Sequence, residues 1–277
     1  LIPYKDKNII LRLMREVWFR LKLPAKRIWY NKAISKVNAK VFIVLDPLIT
    51  PDILMWIKEN HADARIILDY ENRADTTINP DCVGEFVEKW SYDPDDCKKY
   101  SMRLVHPSYF DVYRFDSSKT KKIKYDVLYL GRDKGRLDRI LAYQKQFEKI
   151  GLKTYFHICA DRSFLKFKNP IYKSVMPYSV YLEFLKRSRA SLNIVREDQN
   201  SITQRELETV FDGVKCITTN KAIKQFELYD PSRYFVLGED DIHDLKSFIE
   251  MPFLKIEEDD LNDYKFETVI WKMINKC

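Results

Sequence analysis

The chain has 277 residues, 45% of them hydrophobic and 14% aromatic, enough to bury a full core and long enough for two domains of ordinary size. No uncharged apolar run reaches the 18 residues of a spanning helix, and the start lacks the apolar stretch and small-residue cleavage site of a secretory signal, so a soluble, cytosolic protein is expected. The net charge of +7 is uneven: between Lys5 and Lys40 eleven Lys or Arg stand against only Asp6 and Glu16, a local balance of +9, so one basic patch carries the excess.

Such a patch attracts nucleic acid, an anionic membrane surface or a phosphate-bearing substrate. The five cysteines, Cys82, Cys97, Cys159, Cys216 and Cys277, are widely spaced with no CxxC pair, and read as reduced packing residues. The first residue is Leu1 and not methionine, so a short first domain, truncated at its N-terminus, is expected.

Residues 8–22 place Ile10, Leu13, Met14, Val17, Trp18 and Leu21 on one helical face, with Arg12, Arg15, Arg20 and Lys22 largely on the other, and Pro24 ends the pattern. A basic amphipathic helix of this kind either packs on a sheet or lies on a membrane surface. Val41–Leu45 and Arg65–Asp69 are short β-branched runs that suit buried parallel strands. Between them Thr50-Pro51-Asp52 reads as an N-cap with proline at the helix start. From Asp75 to Ser118 the signals weaken to turns at Asn79-Pro80-Asp81 and Tyr92-Asp93-Pro94-Asp95 and a short strand near Arg103–His106. Residues 115–122 are polar and aperiodic and read as an interdomain linker, dividing the chain into 1–118 and 119–277.

Beyond the linker the pattern alternates. Strands are expected at Tyr125–Leu130, Thr154–Ile158, Ala190–Val195, Lys215–Thr218 and Tyr234–Leu237. Helices are expected at Leu137–Lys149, Tyr178–Arg187, Thr203–Phe211, Lys221–Leu228 and Ile242–Glu250. That is a doubly wound α/β sheet, in which ligands bind beyond the carboxyl ends of the strands. A last helical stretch, Asp260–Asn275, is expected to cross back to the first domain.

Only six glycines occur. Gly131 and Gly135 bracket a strand-to-helix loop, Gly131-Arg132-Asp133-Lys134-Gly135-Arg136, where small residues let backbone N–H groups approach a ligand and the helix start favours an anion. Three cations there point to phosphate; the alternative is a solvated turn, since the loop is neither GxGxxG nor a P-loop. In the second constellation, Gln199 to Glu208, Thr203 starts a helix and Arg205 and Glu208, three apart, share one side facing the sheet end. There an arginine can pair with phosphate and a carboxylate can accept both hydroxyls of a ribose. Tyr172, Tyr178 and Tyr181 can stack on a base or serve the core, and the four histidines have no ligand spacing.

Taken together, GRDKGR after a strand, MPYSVYLEFLKRSRASLNI, the QxxxTxRxxE stretch and VKCITTNKAIKQFELYDP resemble the C-terminal domain of bacterial GT-B glycosyltransferases that build lipopolysaccharide, capsule or exopolysaccharide. The stretch from Trp90 to Tyr100 resembles the segment that precedes the linker in those proteins. The resemblance covers most of residues 86–240. It implies two Rossmann-like domains and a nucleoside-diphosphate-sugar donor, with no cofactor and no metal requirement. It also implies that Arg132, Lys134 and Arg136 lie near the pyrophosphate, with Thr203, Arg205 and Glu208 at the phosphate and ribose; Tyr178 joins Gly131 and these residues as a donor-site candidate because its ring can stack on the base. A saccharide or lipid-linked acceptor would then be served at the cytoplasmic membrane face, the basic helix holding the enzyme to the anionic lipid.

One departure concerns stereochemistry. Many retaining transferases of this fold carry two glutamates with seven residues between them, and counting back from Glu208 reaches Asn200. An inverting reaction instead needs a general base, for which Asp69, Glu71 and Asp93 are candidates, Asp69 and Glu71 ahead of Asp93. Acids in such positions also serve as caps and turn formers. Two rival readings use the same features: a nucleic-acid-binding protein working through the patch, and a non-catalytic nucleotide- or saccharide-binding subunit. The transferase reading expects no nucleic-acid partner.

Overall fold

The amphipathic pattern of residues 8–22 forms helix α1 (Ile9–Arg20), begun by Asn8, whose Oδ1 accepts a hydrogen bond from Leu11 N at 2.8 Å. The architecture is that of a computed structural model describing residues 2–5, 8–114, 122–161 and 169–275. The chain divides into two units, Leu1–Val105 with Lys272–Cys277, and His106–Trp271.

The first unit continues with β1 (Val41–Leu45), α2 (Pro51–Asn60), β2 (Arg65–Tyr70), β3 (Val87–Ser91), α3 (Pro94–Tyr100) and β4 (Arg103–Leu104). The strands form a parallel sheet in the order β1-β2-β3-β4. Ile66, Ile67 and Leu68 of β2 are fully buried, as a strand covered on both faces requires. Strand β1 is only half-buried because it pairs on one side alone, which its β-branched composition could not reveal. Proline does start α2 after Thr50, but the Thr50 side chain makes no cap hydrogen bond. Where turns were expected around Asp93, a strand and a helix stand instead. The signal was present: Asp93 precedes proline at the first helical position and two acids in the first turn, and its Oδ1 accepts from Asp95 N at 3.0 Å and Asp96 N at 3.2 Å.

The second unit holds β5 (Tyr125–Arg132), α4 (Leu137–Lys149), β6 (Thr154–Cys159), α5 (Tyr178–Leu185), β7 (Ser188–Asn193), α6 (Gln204–Phe211), β8 (Lys215–Thr218), β9 (Tyr234–Val236), α7 (Leu245–Glu250), α8 (Glu258–Leu261) and α9 (Phe266–Asn275). Its parallel sheet runs β6-β5-β7-β8-β9, so the strand order reverses between β5 and β7. In open α/β sheets that reversal opens the crevice where ligands sit. Val127, Leu192, Ile217 and Phe235 pack one sheet face against Ile140, Phe147 and Leu245 of the helices, while Leu128 meets Tyr181, Leu182 and Leu185 of α5 on the other.

Three expected elements differ. The strand expected at Ala190–Val195 is displaced toward the N-terminus. Ile194 and Val195 leave the ladder, and Val195 N donates to Thr219 Oγ1 at 3.0 Å. The helix expected over Lys221–Leu228 is a short 3-10 turn, Lys221–Gln225, whose apolar spacing seats Ile223, Phe226 and Leu228 in the core. The periodic end of the chain is broken before α9, which begins in the second unit and ends in the first; there Arg65 Nη2 donates to the carbonyl of Met273 at 3.3 Å. Cys159 and Cys216 are buried thiols, as packing residues should be, but Cys82 is exposed. Cys277 and residues 115–121 of the expected linker lie outside the described residues.

Candidate anion site at the sheet switch point

The cationic loop after β5 is a tight turn held from beneath. Gly131 and Arg132 still belong to the strand, paired with Ile158 and Cys159 of β6, and a side chain at Gly131 would meet the Tyr129 hydroxyl at 3.4 Å. Lys134 and Gly135 both have positive φ, 45° and 75°, the pattern of a type I′ turn, closed by Arg136 N donating to Asp133 O at 2.8 Å. Glycine is needed at position 135 for this conformation and not for space, since an added Cβ would meet nothing within 4 Å. Asp133, whose role no local pattern announces, is the anchor. Its buried carboxylate accepts from Asp161 N at 2.9 Å and from the Tyr172 hydroxyl at 2.8 Å, joining the loops after β5 and β6. Tyr172 is thereby committed to the scaffold.

The three cations of the loop are not equivalent. Arg132 Nη1 donates to the Asp161 carbonyl at 2.8 Å. Arg136 Nη1 donates to the Ile194 carbonyl at 2.6 Å and so ties this loop to the one after β7. Lys134 forms no ion pair among the described residues. Loss of water around its amine, followed by repulsion from Arg136, Arg132 and Arg205, holds its pKa below the ordinary lysine value despite the attraction of Asp161. Loss of hydration likewise lowers Arg136. No side chain caps α4, so the partial positive charge of its first turn adds to theirs.

Helix α6 supplies the second half. Thr203 is its N-cap in a capping box with Glu206: Thr203 N donates to Glu206 Oε2 at 2.8 Å, and Glu206 N donates to Thr203 Oγ1 at 3.3 Å. Thr203 Oγ1 also accepts from Asn193 Nδ2 at 2.9 Å. Glu206 is wholly buried and takes further hydrogen bonds from Thr218 Oγ1 at 2.7 Å and Asn220 Nδ2 at 3.1 Å. The Thr-x-x-Glu spacing announces this pair in the sequence, where it was missed.

Arg205 and Glu208 do share one side of α6, and that side meets α5. The Arg205 guanidinium lies 4.9 Å from the centre of the Tyr181 ring, and its Nη1 is buried with no hydrogen-bond partner among the described residues. Burial works against its charge, while Tyr181 and Glu208 favour it. Glu208 is buried as well. The Tyr178 hydroxyl donates to its Oε1 at 2.8 Å and the Tyr181 hydroxyl to its Oε2 at 3.1 Å. Burial raises its pKa, with Arg205 and the two tyrosines pulling the other way. Each carboxylate oxygen thus already holds a tyrosine hydroxyl, and a ribose would have to share or displace it. Tyr178 remains partly exposed and its ring meets Tyr113 edge-on at 5.1 Å. His157 is held inside β6, its Nε2 2.7 Å from the Ser174 carbonyl.

In the first unit, Asp69 and Glu71 stand at the end of β2 beside Asp46, which follows β1 and was not singled out from the sequence. Asp46 is 1% exposed, and its Oδ1 accepts from Glu71 N at 2.8 Å. Burial, then the charges of Glu71 and Asp46, push the Asp69 carboxyl up to about 7. Burial and Asp46 raise Glu71 too. Asp93, by contrast, is fully buried as the cap of α3 and 3.8 Å from Arg73 Nε, a scaffold role.

No protein-family model matches the chain, and no curated protein matches it. Among solved structures the fold is similar to that of AviGT4, a glycosyltransferase involved in avilamycin A biosynthesis, with a TM-score of 0.57 and 10% identity, over 83% of this chain and 77% of that one.

Proposed function

We propose that the chain is a metal-independent glycosyltransferase of the GT-B type that moves a sugar from a nucleoside-diphosphate-sugar to a saccharide or lipid-linked acceptor in bacterial surface-polysaccharide synthesis. The observation that carries this reading is the gathering of Lys134 and Arg136 in the loop after β5 with Arg205 in the first turn of α6, where both arginines repel the lysine and one Arg205 nitrogen is buried without a hydrogen-bond partner among the described residues. Like charges drawn together at a sheet's switch point are relieved by an anion, and a diphosphate supplies two. The fold similarity to a glycosyltransferase supports the same reading.

As the bond from the sugar to the diphosphate breaks, negative charge grows on the leaving oxygen. Preorganised cations and the first turn of α4 stabilise that charge more than they stabilise the bound donor, which is what lowers the barrier. Glu208 with its tyrosines would orient the ribose. On the acceptor side Asp69, with Glu71 as the alternative, would take the proton of the attacking hydroxyl. A carboxyl near pH 7 in its titration is well matched to that task. Incubation with a panel of nucleoside-diphosphate-sugars and saccharide acceptors, monitored for free nucleoside diphosphate, tests the proposal. Turnover with one donor is expected. A nucleoside diphosphate that raises the melting temperature while no donor turns over would replace the enzyme by a binding subunit, and the absence of any such shift would remove the donor site altogether.

A further inference from the structure

Helix α1 is inverted relative to an ordinary surface helix. The side that meets the rest of its unit carries Trp18, whose Nε1 donates to the Pro24 carbonyl at 2.8 Å, Phe19, edge-on to Tyr4 at 5.7 Å, and Arg15, 4.0 Å above the Tyr4 ring. Ile10, Leu13, Met14, Val17 and Leu21 fall within an arc of about 100° at 3.6 residues per turn. They face away, and each is 53–66% exposed. No residue of the helix is buried. Of the two readings of this moment, packing of the apolar stripe on a sheet is not what the fold shows.

We infer that α1 is a docking surface for an anionic lipid bilayer, lying in the interface with its apolar stripe at the acyl boundary. Its charges select this occupant. Arg20 borders the stripe and Lys22 follows the helix; both are exposed and form no ion pair among the described residues. They belong to the stretch whose balance is +9. A surface both apolar and anionic satisfies stripe and cations at once. A second copy would bring two such basic patches together, which like charge opposes, and nucleic acid would leave the stripe unused. With 12 residues α1 is too short to span a bilayer, and no helix of the described residues is long and apolar enough to do so.

Flotation of the full chain with vesicles of phosphatidylcholine, alone or mixed equally with phosphatidylglycerol, tests this. Binding to the mixed vesicles is expected, weakening with salt. Replacing Arg20 and Lys22 with glutamine should reduce it about thirtyfold at low salt. Leu13→Asp with Val17→Asp should abolish it and leave the melting temperature in vesicle-free buffer unchanged, since neither side chain is buried. Equal binding by wild type and the Asp variant, or none to either vesicle, overturns the inference. So does a wild-type dimer that the Asp variant dissolves, which would assign the stripe to a second copy, or salt-dependent RNA binding that the Asp variant retains while vesicles stay unbound.

Discussion

Replacing Arg205 with methionine separates a ligand-binding cation from a structural one. The guanidinium is buried against Tyr181, and its Nη1 has no hydrogen-bond partner among the described residues. Its removal forfeits a cation–π contact of about 0.5–2 kcal/mol. It also abolishes a buried unsatisfied donor that costs about 1–3 kcal/mol, and methionine keeps the apolar stem packed. The contributions nearly cancel, so urea denaturation should place the variant within about 1 kcal/mol of wild type. Glu208 loses a favourable neighbour but keeps both tyrosine hydroxyls, and as a carboxyl already raised by burial it can take up a proton. Binding should respond differently. A charge-assisted hydrogen bond to a phosphate is worth about 1.5–3 kcal/mol, so the dissociation constant for a nucleoside diphosphate should rise roughly ten- to hundred-and-fifty-fold by titration calorimetry. An unchanged dissociation constant together with a stability loss above about 2 kcal/mol would refute the reasoning and make Arg205 the structural counter-ion of Glu208.

Asp69→Asn should alter the pH dependence of stability. The folded pKa of Asp69, about 7, lies above its ordinary 3.8, so the folded state holds the proton more tightly and stability is lost as pH rises through that window. The wild type should lose about 4 kcal/mol relative to the asparagine variant between pH 4 and pH 8, at about 1.4 kcal/mol per pH unit. If Asp69 is the base, the same variant removes the acid limb of the pH–rate profile near pH 7. Glu208→Ala should cost about 3–5 kcal/mol in urea melts, because it strands Arg205 and two tyrosine hydroxyls in a buried site. Tyr178→Phe should cost only about 1 kcal/mol, and equal losses from the two would contradict the bridging role. Gly135→Ala places a side chain at positive φ and should cost about 1–2 kcal/mol. Nucleoside-diphosphate affinity should also fall as Lys134 moves, and a variant as stable as wild type would show that the turn relaxes freely.

Much of the second unit was legible because its signals are local. Alternating apolar runs and helical spacing place α4 and β8 to the residue, since each period follows from backbone sterics within a few residues. The cationic loop and the Arg205–Glu208 side of α6 were legible for the same reason. The elements missed in the first unit, β3 and α3, are short, and their main cue was a cap with proline at the next position. Glu206 shows the reverse case, where a written motif went unused.

Two α/β halves, a strand-to-helix turn loaded with cations, and a helix with one apolar and one basic side can all be read from local patterns along the chain. What those groups are worth depends on the neighbours that folding supplies. Glu208 is saturated by tyrosines from a different helix. The Asp69 carboxyl is raised by burial, then by its near neighbour Glu71, and last by Asp46 from the turn that follows the adjacent strand. The apolar side of α1 faces outward because Trp18 and Phe19, not the stripe, found partners. Hydration and hydrogen-bond saturation depend on groups far apart in the chain that sheet order and packing bring within a few ångströms, and no local pattern records which of them will meet.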